Sequence, residues 1–161
     1  MTLWRKLRSE RGSALVEVSL LIFVFGMPLL IGTSEMGFLA YDSMEVSDAA
    51  YAGASYGMTS TTNAANTAGI TSAAQNEAPD FGAALTVTTS AYYACSLALA
   101  GTQYTGTNAQ ANATAGCTGA TNHAVQLVSV QTSATVTPKV HFVSLPASFT
   151  VTGVSVMEVE Q

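Results

Sequence analysis

Basic side chains all but vanish after residue 11. Beyond Gly12 the sequence holds one lysine, Lys139, and no arginine, against nine acids. Such a surface repels polyphosphate, and no basic patch exists to attract it, so the composition argues against nucleic-acid binding. Charge of either sign is scarce: 9 % of residues are charged, where soluble domains carry roughly 25 %. Cysteine is limited to Cys95 and Cys117. A metal site built from this pair with His123 and His141 matches no zinc spacing with a physical basis. In an oxidising compartment the pair reads as a disulfide closing a loop of about twenty residues, worth roughly 3 kcal/mol by the chain-entropy argument.

Catalytic patterns are missing as well. There is no G-x-S-x-G, no phosphate-cradling glycine loop and no H-E-x-x-H, the arrangements that hydrolases, nucleotide-binding proteins and zinc proteases need. His123 and His141 read as loop or strand-edge residues. The acids fall on a helix or at the C-terminus (Glu158, Glu160), where a solvated face is the default. No catalytic residue, cofactor or metal is expected.

What is present is asymmetric. Arg5, Lys6, Arg8 and Arg11 hold four of the five basic charges. They stop at Gly12-Ser13, and Val18 to Ser34 then carries no charge. As a helix that run spans about 25 Å, or about 33 Å from Ser13, against a hydrocarbon core of about 30 Å. Residues 1–12 are therefore expected to form a basic cytoplasmic leader, with everything beyond the membrane segment exported. Gly32-Thr33-Ser34 makes a poor signal-peptidase site, and the helical pattern continues past it through Met36, Phe38, Leu39, Tyr41, Met44 and Val46. One helix is expected over 13–58, its first half in the membrane, with Glu35, Asp42, Glu45 and Asp48 as its exposed stripe.

Pro28 should kink this helix or open its hydrogen bonds locally. Ala49, Gly53 and Gly57 recur every four residues, as do Ala50 and Ala54, and such small residues flatten a face so that another helix can approach closely. Glu17 is the most expensive residue in the segment. It either reaches back to the interface beside Arg11, or meets an amine created by cleavage between Gly12 and Ser13.

Gly12-Ser-Ala-Leu-Val-Glu17 resembles the processing site of type IV prepilins. The wider segment, 11–56, resembles the TadE-like family of pilin-like proteins from tight-adherence pilus systems, through Gly12, Ala14 and Glu17, Pro28-Leu29-Leu30, Glu35 with Gly37, and Ala49-Ala50-Tyr51-Ala52-Gly53-Ala54. Val18 stands where such proteins commonly have an aromatic, and Ser55 where the family often has an arginine. The resemblance implies that a prepilin peptidase cuts after Gly12, so that this chain is a substrate and has no catalytic role. It also implies a single-pass bacterial inner-membrane protein that assembles with other pilin-like subunits and a pilus assembly platform. The alternative from another class is a membrane-anchored or secreted adhesion domain that is not processed as a pilin.

The remainder, 59–161, reads as a small extracytoplasmic α+β domain. Asn66 to Glu77 suggests a short helix ending before Pro79. Leu85 and Val87, and then Val128 to Val136, alternate as strands of an antiparallel sheet. In the last run Phe149 and Val151 share a face while Val154 and Val156 fall out of phase, so Gly153 suggests a bulge or tight bend. Gly101 to Asn122 is polar and of low complexity, restrained by the expected Cys95–Cys117 bridge.

Overall fold

The computed structural model describes residues 14–96, 98–99, 101–119, 121–139 and 146–160. Gly12, Ser13, the 1–12 leader and His141 lie outside the described residues. The chain divides into two compact units, one of Met1–Ala40 with Pro138–Ala147, the other of Tyr41–Thr137 with Ser148–Gln161.

A helix, α1, runs over Ala14–Met58 and is long and apolar enough to cross a membrane. In the first unit its side chains face outward: Leu15 is 73 % exposed and Leu30 70 %. The hydroxyls of Ser19, Thr33 and Ser34 donate back to the Val16 and Leu30 carbonyls at 2.9–3.0 Å. They therefore need no external partner, which suits them to an apolar medium. Ile22–Gly26 forms a turn of π-helix just ahead of Pro28, with the Met27 N–H bonded to the Ile22 carbonyl. Proline offers no N–H and its ring crowds the carbonyl four residues back. The wider turn absorbs that misfit. Also within this unit, the Lys139 N–H donates to Glu35 Oε2 at 3.1 Å.

In the second unit two short helices follow α1. The first, α2 (Thr61–Ala65), is capped by the Ser60 hydroxyl, which accepts from the Asn63 N–H. The second, α3 (Thr67–Glu77), is capped by Asn66, whose side chain accepts from the Gly69 N–H. Asn66 is thus the cap rather than the first helical residue, since its side chain satisfies an N–H the helix leaves orphaned. Then come β1 (Thr86–Cys95), a helix α4 (Ala109–Gly116), β2 (Ala124–Val136) and β3 (Phe149–Glu158). The strands form one antiparallel sheet in the order β1-β2-β3.

Alternation along β2 splits the core between the two faces of the sheet. Val128 and Val130 join Ala54, Ala64, Ile70 and Val159 in one buried cluster. Val125 and Leu127 join Tyr92 and Ala94 in another.

Four expectations need correction. The four acids expected to form an exposed stripe on α1 do not: Glu45 is 9 % exposed, Glu35 and Asp42 are half-buried, and of the four only Asp48 is exposed. Glu45 neighbours the buried Val46 and Ala49, and its carboxylate accepts the Asp80 N–H at 3.0 Å, which draws it inward. Gly153 makes no bulge, because β2 and β3 pair without interruption from Leu127↔Glu158 to Val136↔Phe149. A Cβ there would lie 2.6 Å from the Val46 carbonyl oxygen and 2.7 Å from Ser47 Cα, so the glycine serves close approach to α1. The phase of β3 does not change either: Val151 and Gly153 face the core, and Val154 and Val156 lie on the outer face. Finally, the low-complexity stretch contains the regular helix α4, which buries Ala109 and Ala113.

Candidate functional site

The sequence directs attention to the start of α1. Glu17 sits in its first turn, exposed, and is the only charged residue from Ala14 to Ser34. The apolar residues around it, Val16, Val18, Leu20 and Leu21, are each more than half exposed. Pro28 is exposed as well, beside the π-turn. What the structure describes here is therefore one carboxylate on an otherwise uncharged, largely exposed apolar helix.

The small-residue ladder lies in the second unit. Ala49, Ala50, Gly53, Ala54 and Gly57 are all buried. A Cβ on Gly53 would come 3.2 Å from Ile70 and Val130, and one on Gly57 3.0 Å from Val128. This chain's own α3 and β2 thus occupy the flattened face.

The two cysteines are joined. Cys95, the last residue of β1, bonds Cys117, the C-cap of α4, with Cα atoms 5.3 Å apart. Ala109, Ala113 and Cys117 recur every four residues and are all buried, so one helix face carries both the packing and the covalent tether. Tyr93 and Tyr104 exchange backbone hydrogen bonds of 2.9 and 2.8 Å. Gly116 leaves room for the Tyr104 ring, whose hydroxyl a Cβ at that position would strike. Tyr92 is core, at 6 % exposure.

His123 is exposed at the open end of the β1–β2 pair. The Ser96 hydroxyl accepts its N–H at 3.1 Å and lies 3.3 Å from its Nδ1. The Ser96 N–H donates to the His123 carbonyl at 2.9 Å. The backbones of Ser96 and His123 therefore extend the strand ladder past Cys95. An open groove of about 640 Å³ is lined by Thr59, Ser60, Thr61, Tyr93, Gln110 and Glu160. Among the described residues, no group of three His, Cys, Asp or Glu could hold a metal ion.

Sequence reasoning missed three contributors to the second unit: buried Glu45, Thr132 in β2, and the Tyr104–Gly116 contact. A signal existed only for the second. A glycine inside a strand, Gly153, marks a place where another backbone comes close, and Thr132 pairs with it.

No family model matches this chain, and neither does any curated protein or any solved structure.

Proposed function

We propose that this chain is a TadE-like minor pilin component of a tight-adherence type IV pilus, held in the bacterial inner membrane by α1. In this reading residues 1–12 stay cytoplasmic and the domain 59–161 is extracytoplasmic. Prepilin peptidase cuts between Gly12 and Ser13, and the matured chain joins other pilin-like subunits at the assembly platform.

The observation that carries this reading is Glu17. An apolar helix as exposed as Ala14–Ser34 calls for lipid or a protein partner around it. A carboxylate inside that run costs a few kcal/mol unless a counter-charge meets it. Cleavage after Gly12 makes Glu17 the fifth residue and creates an α-amino group at the same depth. On a neighbouring subunit that amine pairs with the carboxylate. In low dielectric the pair matters chiefly because either partner alone is so costly.

N-terminal sequencing of protein from the native host tests the proposal. A mature chain beginning at Ser13 is the expected result, with uncut precursor accumulating for Gly12→Val. Glu17→Gln should still reach the membrane but fail to join filaments. An uncut N-terminus, or cleavage near Ser34, would instead indicate a tethered or secreted adhesion module.

A further inference from the structure

The open groove of about 640 Å³ lies wholly within the second unit. Its frame is fixed from several sides. Ser60 caps α2, and the Glu160 N–H donates to the Met58 carbonyl at 2.8 Å, where α1 ends. Gln110 stands on α4, which the disulfide ties to β1. Tyr93 exchanges backbone hydrogen bonds with Tyr104, and its hydroxyl donates to Gln126 Oε1 at 3.4 Å.

What these residues leave unused is polar. The side chains of Thr61, Gln110 and Glu160 are exposed and make no hydrogen bond among the described residues. The Ser60 hydroxyl accepts the Asn63 N–H at 3.1 Å but donates to none of them. The groove thus offers hydroxyl donors, an amide that both donates and accepts, and a carboxylate that accepts. Half-buried Tyr93 adds an aromatic ring whose backbone and hydroxyl are both tied down.

We propose that this groove binds an uncharged oligosaccharide, its hydroxyls meeting Ser60, Thr61, Gln110 and Glu160 while one sugar ring lies on Tyr93. The volume falls within the roughly 300–1,000 Å³ of small-ligand sites, but most of those are lined by apolar side chains. A hydrophobic ligand here would strip water from the polar groups and pair none of them. A pyranose carries hydroxyls around its rim and C–H groups on its faces. Those C–H groups are drawn to the electron-rich face of an aromatic ring.

Other ligand classes fit less well. Among the described residues no lysine or arginine lines the groove to hold an anion, and Glu160 opposes one. No three of those residues could hold a metal ion. A peptide strand adding to β1 would find the Tyr93 backbone already taken by Tyr104. The groove shares no residue with the proposed processing site, so either reading can fail without the other.

The test uses the full-length chain in a polyoxyethylene detergent, which carries no sugar headgroup. The neutral probes are maltopentaose, cellopentaose and chitopentaose, with sialyllactose as the anionic arm and spermidine as the cationic one. Saturation-transfer NMR detects binding and calorimetry gives the Kd. At least one neutral probe should bind with a Kd of about 1 mM or tighter, unchanged between about 50 and 500 mM salt. Gln110→Ala and Thr61→Val should each weaken it about fivefold, and Tyr93→Ala about tenfold. No binding of any neutral probe at about 10 mM, a Kd indifferent to both Gln110→Ala and Thr61→Val, or binding of spermidine or sialyllactose alone would each overturn the proposal. Should Tyr93→Ala fail to fold, the variants at exposed Gln110 and Thr61 decide on their own.

Discussion

The Thr132 hydroxyl donates a 2.6 Å hydrogen bond to the Val46 carbonyl, joining the middle of β2 to α1 across 86 positions of sequence. Both residues are fully buried. Thr132→Val keeps the side chain's shape and removes the donor. The helix still offers the Val46 carbonyl its own N–H four residues on, so the cost is that of one buried bond, about 1 kcal/mol. Thermal unfolding followed by circular dichroism should show a fall of about 4 °C. An unchanged midpoint would mean that the bond contributes nothing net.

Gly153 lies opposite Thr132 in β3. For Gly153→Ala the new methyl carbon meets backbone, the Val46 carbonyl oxygen at 2.6 Å and Ser47 Cα at 2.7 Å, and backbone cannot rotate away as a side chain can. Overpacking against rigid atoms costs about 1–3 kcal/mol or more. This substitution should therefore destabilise more than Thr132→Val, as read in the same melting experiment. Gly37→Ala serves as a control, since nothing lies within 4 Å of the added carbon.

These positions mark where sequence reading succeeds and where it stops. The extent of α1 is legible because a long run without charge passes into a helical pattern without a break. The strand character of β2 is legible because Val128 and Val130 alternate with Ser129 and Gln131. The disulfide is legible because only two cysteines exist. A strand glycine is ambiguous between a bulge and a close approach, however, and only the position of Val46 settles Gly153. Helix α4 escapes notice because its buried face is built of Ala109 and Ala113, too small to give a hydrophobic period. Glu45 falls on the same wheel sector as the other acids, and nothing local distinguishes it from Asp48. At the start of α1, the sequence singles out Glu17 by contrast with its neighbours. Its partner would be another molecule, which no single chain contains.

The Cys95–Cys117 bridge closes a separation of 22 residues around α4. Replacing both cysteines by alanine should cost about 3 kcal/mol by loss of the chain-entropy constraint. The damage should be local. Limited proteolysis of the reduced protein should cut first between 98 and 119, while β2 and β3, whose pairing involves neither cysteine, stay protected. Simultaneous loss of protection in all three strands would show that the bridge supports the whole sheet.

Glu45 Oε1 accepts the Asp80 N–H at 3.0 Å, while Oε2 is buried without a hydrogen-bond partner among the described residues. The two oxygens make opposite demands. Glu45→Gln keeps the acceptor for Asp80 and removes the charge, and a buried amide costs less than a buried carboxylate. Stability should hold or rise by up to about 1 kcal/mol. Glu45→Leu removes the charge too, but leaves the Asp80 N–H without its acceptor, which costs about 1–3 kcal/mol. The expected order of unfolding midpoints is therefore glutamine at or above wild type, and leucine below both. If Glu45→Gln falls as far as Glu45→Leu, the charge itself stabilises the fold and the unpartnered oxygen is met by a donor from outside the chain.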